Sequence, residues 1–359
     1  MGLRANSQQA RAENIFIITT DGFRWQEVFN GADSTLVNDP DFVQDTALMK
    51  QIYWDRSAEE RRKKLMPFFW NVISKRGQIY GNRAFGNKVD VKNIYKISYP
   101  GYNELLTGYA DPFPVLNTPT YNRNQSVLEF FNNLPEYHNQ VVAFSSWYIF
   151  PFLLNNKRNG MLMNSGYELM EERLSDSALR IAETQEGIGR KTHTRFDLLT
   201  YMTAREYIQA KHPKIVYISL GETDDQAHQG HYDLYLEGAA NVDKMISELW
   251  YYVQTDPFYK NKTAFVITTD HGRGKKPAKW TTHNGLVGGS GQIWLALLGA
   301  GIEPTGEVKE EGKIGQDQVA ATIASLLGRQ FQPTNKTAPP IQLPQPSWNL
   351  ANLNLIRTR

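Results

Sequence analysis

The chain is 359 residues long, with 39 lysines and arginines against 37 aspartates and glutamates; the net charge of +2 and the lack of a long basic run give no reason to expect nucleic acid as a partner. Cysteine is absent, so disulfides say nothing about compartment, and no stretch approaches the roughly 18 to 20 apolar residues of a membrane span. At this length the expectation is one α/β domain enlarged by insertions.

The polar start, Gly2 to Glu13, resembles what is left of a processed or re-cloned N-terminus, which leaves room for a removed export signal and a periplasmic or secreted protein. Asn14 to Thr20 (NIFIITT) is a short apolar, β-branched run that reads as a buried strand and delivers Asp21 at its carboxyl end. A long polar and aromatic stretch, Phe23 to Lys75, follows, and its charged piece Ser57 to Lys64 reads as a surface helix. In Lys96 to Gly108 (KISYPGYNELLTG), Pro100 suits the first turn of a helix and Ser98 or Tyr99 the cap before it. Ser98 is then either a plain helix cap or a nucleophile whose oxygen faces the free N–H groups of a helix start.

Gln125 to Leu134 has apolar residues at helical spacing, and Gln140 to Phe144 reads as a strand. Ser145 to Arg190, with Gly160, Gly166, Gly187 and Gly189, is the least regular segment; it is expected to be an inserted cap, the alternative being a surface insertion without a role. Thr192 to Lys211 reads as a longer helix. Lys214 to Leu220 (KIVYISL) is another buried strand, ending shortly before Asp224, Asp225 and His228. Tyr232 to Gln254 is a helix, and Thr263 to Thr269 (TAFVITT) a strand that delivers Asp270 and His271. A basic loop with Arg273, Lys275, Lys276 and Lys279 leads to His283. Gln292 to Leu298 is a late strand, Gln318 to Leu327 a late helix stopped by Gly328, and the Pro-rich tail from Gln332 is expected to lie extended on the surface.

This alternation predicts an α/β fold with a mostly parallel central sheet and helices on both faces: a catalytic domain over 14–330, containing the 145–190 insertion, and a tail over 331–359. Several strands empty acidic and imidazole side chains at the edge where open α/β sheets bind ligands. Carboxylate oxygen with neutral imidazole nitrogen is a ligand set that zinc favours and manganese tolerates. Asp224 and His228, four apart, share one face of a helical turn, and His283 can close a three-ligand site with an open position. An Asp four residues from a His is commonly a surface pair, and Asp-His dipeptides arise by chance; the concurrence of the whole set raises the odds.

The ordered set of Asp21 after a strand, Ser98 before a Pro-containing helix, Asp224 with His228, the pair Asp270 and His271, and then His283 resembles the alkaline phosphatase superfamily. Within it, Ser98 to Gly108 is similar to the nucleophile segment of the type I phosphodiesterase and nucleotide pyrophosphatase branch, in which Thr or Ser precedes an aromatic residue and Pro. The resemblance spans Asn14 to about Gly328. It implies two divalent metal ions, zinc foremost, one held by Asp224, His228 and His283 and the other by Asp21, Asp270, His271 and the Ser98 oxygen. It implies attack by Ser98 on a small-molecule phosphate ester, a phosphoseryl intermediate, and release by water with retention at phosphorus. His231 and Asp225 match no ligand role. The branch keeps an Asn after its nucleophile to bind a phosphoryl oxygen, for which Asn117 and Asn122 are both candidates.

The basic loop is either solvated or sends a cation into the site, where it would offset the extra charge of a monoester dianion. That tilts the expectation toward a phosphomonoesterase, with a phosphodiesterase or nucleotide pyrophosphatase as the alternative. A sulfatase is disfavoured, because Ser98-Tyr99-Pro100-Gly101-Tyr102 lacks the Arg of the sulfatase maturation segment. Independent phosphoglycerate mutases resemble a longer chain with a large inserted domain. A metal-stabilised binding protein is the non-enzyme alternative, and it would need no nucleophile between its sites.

Overall fold

The strand Asn14–Thr20 is buried along its length and sends its side chains alternately to two cores: Phe16 and Ile18 enter one, Ile15 and Ile17 the other. That double burial places it inside a sheet covered on both faces. The computed structural model describes residues 12–344 apart from Glu171 and Arg173; the polar start up to Arg11 and the tail beyond 344 lie outside the described residues.

In chain order the strands are β1 Asn14–Thr20, β2 Gly77–Tyr80, β3 Asn87–Asp90, β4 Val141–Ser145, β5 Leu162–Ser165, β6 Ile215–Leu220, β7 Thr263–Thr269, β8 Gln292–Ile293, β9 Leu295–Gly299, β10 Gly306–Glu307 and β11 Gly312–Gly315. The central sheet runs β10-β2-β9-β7-β1-β6-β4-β5, and β11-β3-β8 form a small second sheet. In the central sheet every neighbouring pair is parallel except the two that β9 makes, with β2 and β7. This is the mostly parallel architecture expected. On one face the helix Tyr232–Thr255 packs Tyr235, Leu236, Val242, Ile246 and Leu249 into the core. The helices Ser98–Thr107, Val127–Asn132 and Val319–Leu326 cover the other.

Register positions the site. Thr20 of β1 pairs with Leu220 of β6 on one side and with Thr269 of β7 on the other. The three strands therefore end in step, and Asp21, the 221–224 segment and Asp270 leave from one edge.

Boundaries differ from the sequence expectations where tertiary pairing overrides local pattern. The charged helix is Ala58–Leu65, capped by Ser57, whose hydroxyl accepts from the Glu60 N–H at 3.1 Å. The stretch around it also holds helices Trp25–Asn30 and Thr46–Tyr53. The helix expected from Thr192 begins at Asp197, because residues 192–196 are held extended: Arg195 N–H donates to the Ser146 carbonyl at 2.8 Å, and Thr194 bridges to Trp147. The strand expected over Gln292 to Leu298 is split between the two sheets at Trp294. The segment 145–190, expected to be least regular, contributes the edge strand β5 and the helix Asp176–Glu186. From Gln332 to Leu343 the tail is without helix or strand, as expected, but it is anchored: Ile341 is buried, and its N–H donates to Thr322 Oγ1 at 2.9 Å.

Candidate functional site

All seven side chains proposed as ligands or nucleophile meet at the carboxyl ends of β1, β6 and β7. His271 Nε2 lies 3.4 Å from Asp21 Oδ1 and 3.4 Å from Asp270 Oδ2. His228 Nε2 lies 3.1 Å from Asp224 Oδ2 and 3.0 Å from His283 Nε2, and His283 Nε2 is 3.6 Å from Asp224 Oδ1. The rings of His271 and His283 stack at 3.8 Å, so the two groups are contiguous. Donor atoms of Asp21, Asp270 and His271 converge within 4.8 Å of one another, as do those of Asp224, His271 and His283.

Backbone contacts fix which imidazole nitrogen is free. His271 Nδ1–H donates to the Gly272 carbonyl at 2.9 Å, and His283 Nδ1–H to the Lys96 carbonyl at 3.1 Å. Each leaves Nε2, with its lone pair, facing the cluster. Burial, then the charge of His283, hold His271 well below the ordinary imidazole range. Burial brings His283 down to about 4, with Arg273 adding to the effect and Asp224 opposing it. Both are neutral, the form that binds a metal. Burial, then the carboxylates of Asp270 and Asp224, push Asp21 well above the usual carboxylate range, and burial does the same to Asp270. Asp270 Oδ2 is buried without any hydrogen-bond partner. Crowded carboxylates, neutral imidazoles aimed at them and an unpaired buried oxygen fit divalent cations.

Ser98 opens the helix Ser98–Thr107, with Ile97 rather than a serine or tyrosine as its cap residue and no side-chain cap bond. The plain-cap reading of Ser98 is thereby corrected. Its hydroxyl instead lies 3.3 Å from His271 Nε2 and 3.5 Å from Asp21 Oδ1, beside the second ligand group. The helix start offers less to an anion than expected, since Tyr99 N–H is already taken by Asn117 Oδ1 at 2.9 Å and Pro100 has no N–H.

That same bond separates the two asparagines. Asn117 is exposed, and its Oδ1 accepts the Tyr99 N–H at the helix start. Asn122 is buried: its Nδ2 donates to Asn103 Oδ1 at 3.0 Å, and its Oδ1 accepts from Asn124 N–H at 3.0 Å, which makes it part of the scaffold.

The basic loop divides as well. Lys275, Lys276 and Lys279 are exposed, whereas Arg273 is sealed in the site. One of its Nη1 N–H groups is donated to Asp224 Oδ1, Nε donates to the Trp280 carbonyl at 2.8 Å, and Nη2 to the Thr281 carbonyl at 2.5 Å. Against the upward push of burial, Arg273, then His283 and His228, hold Asp224 well below the usual carboxylate range. His231 is exposed and Asp225 half-buried, and neither joins the cluster.

Several supporting residues escape a motif search. Gly22 has φ +59°, and a Cβ there would stand 2.5 Å from Asp224 Oδ1; its N–H donates to Asp270 Oδ1 at 3.0 Å. A Cβ on Gly101 would stand 2.6 Å from the Asp270 carbonyl, so glycine lets the helix that begins at Ser98 approach this candidate ligand. Thr223 hydroxyl donates to the Asp21 carbonyl at 2.5 Å, and Gln316 Nε2 to the Asp270 carbonyl at 2.7 Å. The signal that was available is a glycine directly after a ligand, as in Asp21-Gly22 and His271-Gly272.

No family model matches the chain, and no curated protein matches it in sequence. Its backbone is similar to that of wild-type alkaline phosphatase PafA, with a TM-score of 0.62 at 11% identity over 92% of this chain and 98% of that one. It is also similar to the phosphonate monoester hydrolase of Agrobacterium radiobacter (TM-score 0.53, 12% identity, 92% and 76% of the two chains). A third likeness is to a 2-O GAG sulfatase (TM-score 0.55, 11% identity, 91% and 73%). At such identities the likeness speaks for the fold, which proteins named for three different ester substrates share.

Proposed function

The chain has the fold of the alkaline phosphatase superfamily, and on that premise we propose that it is a two-metal phosphate-ester hydrolase that works through a phosphoseryl intermediate at Ser98. The observation that carries the reading is the uncapped Ser98 hydroxyl, 3.3 Å from His271 Nε2 at the junction of two groups of metal-type donors. A metal-stabilised binding protein would have no use for a hydroxyl there.

Asp224, His228 and His283 would hold one ion, and Asp21, Asp270, His271 and Ser98 the other, with zinc the first candidate and manganese the second. Bound divalent ions would supply Lewis acidity toward the phosphoryl group and make a hydroxyl and a water acidic enough to attack near neutral pH. Ser98 Oγ would form a bond to phosphorus as the bond from phosphorus to the ester oxygen breaks, the hydroxyl proton passing to solvent and the departing alcohol taking one up from it. Water would then attack the phosphoserine opposite Oγ, the P–Oγ bond would break with the serine taking back a proton, and phosphate would leave, so two inversions give net retention. Asn117, whose Oδ1 is held by the Tyr99 N–H, would donate from its amide NH2 to a phosphoryl oxygen, while Arg273 keeps Asp224 aimed. Gly22 and Gly101 let these backbones close around the reacting atoms.

Arg273, the one loop cation inside the site, supports a monoester substrate, because it offsets one ligand carboxylate and so favours a dianion. The diester alternative draws on a different observation: its donors are directed at Asp224 and at two carbonyls, and the neighbour in front of Ser98 is the neutral Asn117. A periplasmic or secreted location belongs to the same proposal. Turnover of an aryl phosphate monoester, a diester and an aryl sulfate, each with added zinc, tests it. The reading expects hydrolysis of a phosphate ester to exceed that of the sulfate, and fails if only the sulfate is cleaved.

A further inference from the structure

Three of the four most exposed large hydrophobic side chains among the described residues lie on loops that adjoin residues of this site: Leu286 at 99%, Phe113 at 77% and Ile94 at 71%. Leu116, 46% exposed, joins them. They come from three loops that the site itself draws together. Leu286 follows His283 in a turn, its N–H donating to Asn284 Oδ1 at 2.8 Å, and the neighbouring Gly285 is so close to Ile94 that a Cβ would stand 2.1 Å from the Ile94 carbonyl. Tyr95 hydroxyl donates to the Pro112 carbonyl at 3.0 Å, which brings Phe113 alongside. Leu116 precedes Asn117, bonded to Tyr99 over the nucleophile helix.

Charge on these loops has one sign. Segments 92–98, 112–123 and 273–292 contain no aspartate or glutamate; Arg123 is paired with Asp111 and the buried Arg273 with Asp224, and the other cations on these loops are Lys92, Lys96, Lys275, Lys276 and Lys279. Lys275 is tied to the Leu286 loop by its N–H, which donates to the Gly288 carbonyl at 3.1 Å, and Lys276 and Lys279 lie exposed beside it. Lone hydrophobic residues on a surface need no explanation, but several on adjoining loops ringed by lysine do.

We propose that this rim is a docking face for an anionic lipid bilayer, which presents the phosphate ester of a lipid to Ser98. Apolar tips of this kind enter the boundary between headgroups and acyl chains, while lysines around them are held by the negative surface potential. A small soluble ester would not need an apolar surface outside the pocket. A second copy of the chain, docked face to face, would bring two basic rims together and be repelled. The surface is inferred from exposure and charge alone; the statement that it feeds Ser98 rests on the hydrolase reading above.

The test is co-sedimentation of the zinc-loaded protein with vesicles of phosphatidylcholine, and of phosphatidylcholine mixed with phosphatidylglycerol. Two triple variants accompany it, Ile94→Ser with Phe113→Ser and Leu286→Ser, and Lys275→Glu with Lys276→Glu and Lys279→Glu, each checked for an unchanged circular dichroism spectrum. Wild type is expected to bind the anionic vesicles in preference to the neutral ones, and each variant to bind them at least about tenfold more weakly. Wild type that binds neither vesicle, variants that bind as well as wild type, or a wild-type dimer that both variants convert to monomer would each overturn the proposal. Because sedimentation needs no turnover, failure of the hydrolase reading would leave this result legible, and the reverse also holds.

Discussion

Arg273 donates to Oδ1 of Asp224, and through the same guanidinium it grips the Trp280 and Thr281 carbonyls, three and two residues before His283. One buried cation thus sets the position of two candidate ligands from different parts of the chain. Partners of this kind orient ligands, and losing them typically weakens metal binding roughly 10- to 100-fold. Arg273→Met is expected to show that loss for one of two zinc equivalents in a competition titration, with Arg273→Lys between it and wild type. Tighter zinc binding in Arg273→Met would mean that charge repulsion outweighs positioning.

Ligands and nucleophile should separate. Asp224→Ala or His283→Ala is expected to lose one metal equivalent, whereas Ser98→Ala keeps most of the bound metal and loses turnover by about a thousandfold or more. Elemental analysis beside rate measurement reads both quantities. Metal loss in Ser98→Ala equal to that in Asp224→Ala would make the serine a structural ligand instead.

The two asparagines should differ in kind. Asn117 is exposed and makes one bond across the nucleophile helix, so Asn117→Ala should lower turnover by about tenfold with little change in stability. Asn122 is buried in a hydrogen-bonded network, so Asn122→Ala should cost about 1 to 3 kcal/mol of stability. Urea unfolding and initial rates on both variants check the pair, and the reverse pattern would reassign the phosphoryl-binding role.

Glu104 links pH to the frame of the site. It lies on the nucleophile helix and accepts from the N–H groups of Lys92 and Asn93 at 2.8 and 2.7 Å, anchoring the loop whose Lys96 carbonyl orients His283. Burial raises its carboxyl to about 7, above an unfolded value near 4.3. Between those values the folded protein holds the proton more tightly than the unfolded chain does, so this contribution to stability is full below about pH 4 and is lost as pH rises toward 7. Denaturant unfolding should therefore show wild type losing stability relative to Glu104→Gln across that window and levelling off above it. A difference independent of pH would remove the linkage.

The strands β1, β6 and β7 were legible because both their faces are buried, so near-continuous apolar runs stop abruptly at a turn that carries a candidate ligand, at once after β1 and β7 and four residues on after β6. That also made Asp21, Asp270 and His271 legible. β2 and β3 were not, since four-residue pieces such as Asn87–Asp90 owe their pairing to distant partners, here β11 and β8. Arg273 looked like one of four equivalent cations, because nothing in a Lys and Arg run tells which side chain the chain will fold over. Asn117 and Asn122 were inseparable for a similar reason: only the bond to Tyr99 and the burial against Asn103 distinguish them.

The central claim is a covalent phosphoserine at Ser98 in a metal-dependent enzyme. The most direct measurement is peptide mass spectrometry of zinc-loaded protein quenched in acid during turnover of a phosphate ester. The account predicts one phosphoryl group on the peptide containing Ser98, absent when metal is chelated and absent from Ser98→Ala, which should be inactive. Steady turnover with that peptide unmodified, together with near wild-type rates in Ser98→Ala, would contradict it.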